Sequence, residues 1–269
     1  VTRLLTLCAD DFGASEAINH GILQLAAAGR LSAVSCMSNM PAWATGASEL
    51  IGLPTVQQGR VRLGLHFNLT EGTPLSPELA RLWPHLPALP RLIARAHLGM
   101  LPRDALRAEL QAQLHAFEQA AGRAPDHIDG HQHVHHLPVL RALVLHALAQ
   151  RPHVRVRHTG CVHGPGHALK RVLIAGTGGR WLGRRLQALG RAANTQLFGV
   201  YDFVDANYRG LMQRWLAALP VQGGLVFCHP GEAGGDNDDP IAAARVRELA
   251  YLASADFDAD LAAAGVRLT

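Results

Sequence analysis

Aromatic residues are scarce in this 269-residue chain: Phe, Trp and Tyr together make up 5% of it. A core must then be built mainly from Leu, Ala and Val. The stacking platforms interleaved with basic residues that single-strand nucleic-acid binders use are missing as well. The net charge of +4 and the pI near 9.2 come from 25 Lys and Arg residues, almost all arginine, spread along the chain without a basic tail. Nucleic acid is therefore not expected as a partner. CxxC pairs are absent: Cys8, Cys36, Cys161 and Cys228 stand alone, which excludes a zinc knuckle or a dithiol redox motif. No apolar run approaches the roughly 18 residues of a transmembrane helix. No signal-peptide pattern opens the sequence, so a cytoplasmic location is expected. The glycines of KRVLIAGTGGR are not followed by Gly-Lys-Ser/Thr and form no P-loop. The DFG at 11–13 stands without the other kinase motifs. The acidic run GGDNDDP is no EF-hand, because Arg247 falls where the last ligand would be.

With 48% hydrophobic and 17% charged residues the composition is globular. Short apolar runs at 3–9, 34–37, 62–66, 154–157 and 225–228, together with HIDG, read as strands. They alternate with segments of helical period at 16–28, 103–121 and 138–149, the pattern of a parallel sheet wrapped by helices. Ser15 reads as an N-cap, and Asp239 with Pro240 as the cap and first residue of a late helix. Residues 75–101, rich in Pro and Leu, read as an irregular excursion with the composition of a lid. Neither a repeat nor a linker divides the chain. The expected architecture is α/β, an irregular TIM-like (β/α) barrel forming a single domain over 1–269. The basic, leucine-rich segment 170–191 reads as a helix packed on the barrel. Peripheral membrane contact through Trp181, Leu182, Leu186 and Leu189 is the sharper alternative, and a homodimer is left open.

Four polar clusters each follow an expected strand: Asp10 with Asp11, then His66, then 129–136, then His229. Loops after parallel strands gather at one end of the sheet, so the clusters can converge. Successive strand side chains point to opposite faces, so Asp10 and Asp11 serve one site only if the strand stops there, and Gly13 suits such a stop. In PDHIDGHQHVHHLP, His131 and His135 share a face whether the run continues as a strand or turns helical. His127, His131, His133, His135 and His136 together would be unfavourable in a buried turn unless something binds them. Two imidazoles and one carboxylate would leave open positions, the plan of a catalytic metal site. The isolated His97, His115, His146 and His153 read as structural or exposed.

ADDFG, GLHFNLTEG, DGHQHVH and CHPGE, in this order, resemble the YdjC family of carbohydrate deacetylases, which includes the chitooligosaccharide deacetylases, over residues 5–252. The resemblance implies one divalent metal ion held by Asp11, His66 and His131, with Asp10 as general base and His229 as acid. Zinc or magnesium is expected, with manganese or cobalt as alternatives. The implied reaction is hydrolytic N-deacetylation of an acetylated amino sugar, an N-acetylglucosamine-containing oligosaccharide or glycoconjugate. Hopanoid-associated relatives add a lipid-linked amino sugar as an alternative. The HSxxH motif of NodB-type deacetylases is absent. Such an amide needs a polarised carbonyl, a base for water and an acid for the departing nitrogen. Backbone N–H groups in the turn after Asp11 are candidates to assist at the oxyanion. Asp129 reads as a residue orienting a ligand histidine or as a turn cap, and His135 as a substrate contact or a bystander. Asn68, with Thr70 and Glu71, either shapes the site or builds a simple turn. A phosphoesterase and a silent sugar-binding protein are the competing classes, the latter disfavoured because binding needs neither base nor acid.

Overall fold

Alternation along the strands sets the architecture. On β1 (Arg3–Phe12), Leu5, Leu7 and Ala9 point into the hydrophobic core, while Cys8 and Asp10 point the other way, toward Arg157. The same division recurs on β2 (Ala33–Cys36), β3 (Arg62–Phe67) and β4 (His127–Gly130). Val34, Leu63, Leu65 and Ile128 enter the core, whereas Ser35, His66, His127 and Asp129 contact one another on the opposite face. Each fully buried Leu or Ile on the core face contributes about 1.5–3 kcal/mol relative to exposure. The apolar face meets the surrounding helices and the polar face looks inward.

The computed structural model describes residues 2–234 and 239–269; residues 235–238 of the run GGDNDDP lie outside the described residues. With β5 (Arg155–Val156), β6 (Leu197–Phe198), β7 (Gly224–Cys228) and β8 (Val266–Leu268), the sheet is parallel. Its order is β5-β4-β3-β2-β1-β7-β6, with β8 pairing the start of β1. It is curled into an irregular barrel. Arg157, just past β5, forms an ion pair with Asp10 on β1, four strands away, which in a flat sheet is about 19 Å. Parallel bridges Val156↔Ala193 and Val162↔Leu197 draw the two outer strands together. The expected single α/β domain of irregular barrel form is the one observed.

Several boundaries differ from expectation. β1 does not stop before the aspartates but runs through them to Phe12. A bulge between Ala9 and Phe12 breaks the register with β2, and Asp11 takes φ +70°, so both carboxylates still reach one cavity. Bulges re-aim side chains in this way without ending a strand. Gly13, at φ +100°, turns the chain toward the helix Glu16–Ala27, which Ser15 caps by accepting from the Ile18 N–H. The 131–136 run is neither strand nor uniform helix. It is a 3-10 turn broken at Gln132 and His133, both left-handed at φ +51° and +63°, so His131 and His135 part company. The excursion 75–101 contains two short helices, Pro77–Ala80 and Leu89–His97. The late helix begins only at Ala242. Asp239 is not its cap, because one carboxylate oxygen accepts from the Ile241 N–H while the other is held by Arg245. In the segment 170–191, Leu182 and Leu186 are buried in the core, leaving Trp181 and Leu189 exposed. All four cysteines are free thiols, and among the described residues no helix is long and apolar enough to cross a membrane.

Candidate active site

The strand ends bring Asp10, Asp11, His66, His131 and His229 to one cavity of about 420 Å³. At its floor three donors converge. Oδ1 of Asp11 lies 3.3 Å from Nε2 of His66 and 2.9 Å from Nδ1 of His131, and all three side chains are buried. The far nitrogen of each imidazole rests on a further carboxylate. His66 Nδ1 is 2.6 Å from Asp129 Oδ1, and His131 Nε2 is 2.8 Å from Glu71 Oε1. This is the arrangement that fixes ring orientation in metal-binding histidines, with the inner nitrogen left for the ion. Asp11 offers the cavity a single oxygen, since Arg245 binds Oδ2 at 2.9 Å. The donor set therefore fits a divalent cation with open positions.

Electrostatics point the same way. Burial opposes charge on Asp11, yet His131 and Arg245 hold its carboxyl well below the usual range. Burial pulls His66 and His131 down, but the facing aspartates outweigh it. Asp129 and Asp10 raise His66 to about 10, and Asp11 raises His131 to about 9. Protons thus occupy this carboxylate-rich floor until a cation displaces them.

Asp10 stands beside the cluster with both oxygens accepting from Arg157, at 2.6 Å each. The same guanidinium lies 2.6 Å from Asp129 Oδ2, so one buried arginine locks both carboxylates in place. His229, after β7, packs edge-on against Phe203 and Phe227, and its Nδ1 is buried without a hydrogen-bond partner among the described residues. Burial pushes this imidazole down to about 4, neutral at physiological pH. Glu248 sits behind it, fully buried and pushed up to about 7 by that burial.

The other expected site residues are distributed differently. Asp129 is in contact with His66 because the two are register partners on β3 and β4. Asn68 does not face the cavity. Its Oδ1 accepts from the Thr70 and Glu71 N–H groups and its Nδ2 donates to the Glu71 carbonyl, so it builds the turn that presents Glu71. His135 is fully buried outside the cavity, with its Nε2 on the Arg157 carbonyl at 2.9 Å. The N–H groups proposed for the oxyanion are largely taken. Gly13 donates to Asn19 Oδ1 and Ala14 to the Asp11 carbonyl. Arg157, Arg245 and Glu248 escaped the sequence reading. Weak signals existed: VRVR alternates as an inward-facing strand would, and Glu248 falls on the buried stripe of the helix Ala242–Ala253 with Ala244, Tyr251 and Leu252.

A family model described as YdjC-like protein matches residues 4–263. A chitooligosaccharide deacetylase of Enterobacter sp. (strain 638) is 35% identical over 156 residues, covering 55% of this chain and 57% of that protein. A carbohydrate deacetylase of Mus musculus is 38% identical over 140 residues, covering 50% and 43%. The chain thus spans about half the length of the curated relatives it matches. A crystal structure from Enterococcus faecalis V583, of a protein proposed to act in cellobiose-phosphate cleavage, has the same fold. Its TM-score is 0.73 at 20% identity, covering 100% of this chain and 97% of that one.

Proposed function

This chain belongs to the YdjC-like family, and from that premise we propose that it is a metal-dependent hydrolase removing the acetyl group from an N-acetylated amino sugar. The observation that carries the reading is the convergence of Asp11, His66 and His131 beside Asp10 and His229 in one cavity. The curated relatives' names, chitooligosaccharide deacetylase and carbohydrate deacetylase, supply the substrate class.

Asp11, His66 and His131 would hold the ion, which when bound polarises a carbonyl and acidifies water. Asp10, pinned by Arg157 but with lone pairs still free on each oxygen, takes the proton from the attacking water. His229, on another wall of the cavity, delivers a proton to the departing nitrogen, with Glu248 behind it, its carboxyl raised to about 7 by burial, as the proton's source. Phe203 and Phe227 keep water from that imidazole. Acetate and a free amine leave.

A second reading of the substrate is favoured by the cavity's outer wall. Leu89, Ile93, Leu137, Leu173 and Ile174 line it, and among the described residues no Trp or Tyr lines it to stack on a further sugar ring. Leu169, Val172 and Leu173 are exposed beside it. An aliphatic group attached to the amino sugar suits that wall better than a long oligosaccharide. The test is acetate release from free, oligomeric and lipid-linked N-acetylglucosamine compounds by protein stripped of metal and reloaded with one ion at a time. Metal-dependent release that is lost in Asp10→Asn is expected. Phosphate release from a phosphate ester, with no acetate from any compound, would overturn the reading in favour of a phosphoesterase.

A further inference from the structure

Below the proposed metal site, Cys8, His127 and Asp129 bring a second set of metal-type donors within 4.8 Å of one another. They do not form a second cation site. The Arg157 guanidinium already occupies it, with Nη2 2.6 Å from Asp129 Oδ2 and 3.3 Å from Cys8 Sγ. What this layer does follows from its hydrogen bonds. Ser35 donates to Asp129 Oδ2 at 2.6 Å, so its oxygen is free to accept, and His127 Nε2 lies 2.8 Å from it. Burial lowers the His127 pKa, and a neutral ring with its proton on Nε2 satisfies that contact. Asp129 Oδ1 in turn receives His66 Nδ1. The hydrogen bonds of the row thus converge on Asp129, His127 and Ser35 from one side and His66 Nδ1 from the other, and His66 is held with Nε2 facing the cavity, 3.3 Å from Asp11 Oδ1, where a cation would take it.

The sheet is built to allow it. Ser35 pairs with Gly64, and Gly64 with His127, in the parallel register of β2, β3 and β4. The middle residue of that row has no side chain, and a Cβ on Gly64 would overlap the His127 ring. The imidazole can therefore cross over β3 to reach Ser35. Gly64 has no positive φ, so its backbone would accept alanine; only the ring stands in the way.

We propose that Ser35 and His127, given passage by Gly64, are positioning residues that fix the orientation of His66 for metal binding through Asp129. The proposal rests on the metal site of the preceding section but not on the reaction assigned to it. Groups hydrogen-bonded to a metal ligand typically change affinity 10- to 100-fold when removed.

The test measures zinc affinity of the full chain by competition with a chromophoric chelator, without any activity readout. Ser35→Ala and His127→Leu are expected to weaken zinc binding about 10-fold. His127→Gln, which keeps an N–H near the Nε2 position, is expected to restore it to within about twofold of the unaltered protein. Gly64→Ala, which displaces the ring, should match His127→Leu. Wild-type zinc affinity in both Ser35→Ala and His127→Leu would overturn the proposal, as would equal losses in His127→Gln and His127→Leu, which indicate packing alone. If Ser35→Ala does not fold, the two His127 variants decide. No zinc binding by the unaltered protein would overturn the metal site together with this proposal. Zinc binding without acetate release would overturn only the reaction.

Discussion

Nδ1 of His229 lies 4.0 Å from Oε1 of Glu248, while the other Glu248 oxygen accepts the backbone N–H of His229 itself. The carboxyl is thus fixed to the residue whose ring it backs, with Tyr201 donating to the Oε1 that faces the ring. Burial lowers His229 to about 4 and raises Glu248 to about 7, so between about pH 4 and 7 the pair holds one proton, on Glu248. If that proton serves the leaving amine, acetate release falls as pH rises through about 7. Glu248→Gln should remove this limb of the profile and lower kcat about 100-fold, the usual scale of general acid catalysis. A pH–rate profile identical to that of the unaltered protein would exclude the pair.

Arg157 joins Asp10 and Asp129 in a fully buried triad. Their charges sustain its own against burial, and removing it would leave two uncompensated carboxylates in the barrel. Arg157→Met is expected to destabilise the protein by about 3–5 kcal/mol, measured by denaturant unfolding. Asp10→Asn, which keeps one oxygen on the guanidinium, should destabilise far less while abolishing acetate release. Equal stability losses in the two variants would contradict this division of roles.

The pH dependence of stability has opposite causes on its two sides. His66 and His131, raised to about 10 and about 9, stabilise the metal-free fold fully below their unfolded pKa of about 6.5. That contribution is lost as pH rises through about 9 to 10. His135, His136 and His229, lowered by burial to about 4, 2 and 4, act in reverse. Their contribution is present above about pH 6.5 and is lost as pH falls toward 4. As far as these five histidines set it, metal-free protein should therefore melt highest near about pH 6.5, losing stability as pH rises toward 9 to 10 and as it falls toward 4. Because a cation must displace the protons on both ligand histidines, zinc should raise the melting temperature more at about pH 8.5 than at about pH 6. A zinc effect independent of pH would remove His66 and His131 from the ligand set.

Period and punctuation make β1 to β5, β7 and the helices at 16–27, 103–121 and 140–149 legible to within a few residues, because buried faces repeat with a fixed spacing, whereas the short β6 and β8 and the helices Pro41–Gly52 and Tyr208–Ala218 are not read from the sequence. The clusters after the strands were legible for the same reason, since a parallel sheet collects its strand ends. The end of β1 was not. Nothing in CADDFG separates a strand that stops from one that bulges, and the register with β2 decides it. His135 does not share a face with His131 because two consecutive left-handed residues, neither of them glycine, break the 131–136 turn. Arg157 and Glu248 were hidden by distance in sequence. Their partners lie 147 and 19 residues away, and only barrel closure and helix docking make them neighbours.

The cavity's outer wall carries a prediction about substrate choice. Ile93, on the helix Leu89–His97, and Leu173, on the helix Ala168–Ile174, both line the cavity. Leu173 is 55% exposed, so a polar residue there leaves the core untouched. Burying one aliphatic contact against such a side chain contributes about 1–3 kcal/mol, or about 10- to 100-fold in kcat/KM. Leu173→Asp should therefore raise KM by at least about 10-fold for an N-acetylglucosamine conjugate bearing an aliphatic chain, and leave kcat/KM for a free N-acetylated disaccharide within about twofold. Equal losses on both would mean that the wall shapes the site as a whole. A loss confined to the disaccharide would place the sugar chain, not an aliphatic group, against Leu173.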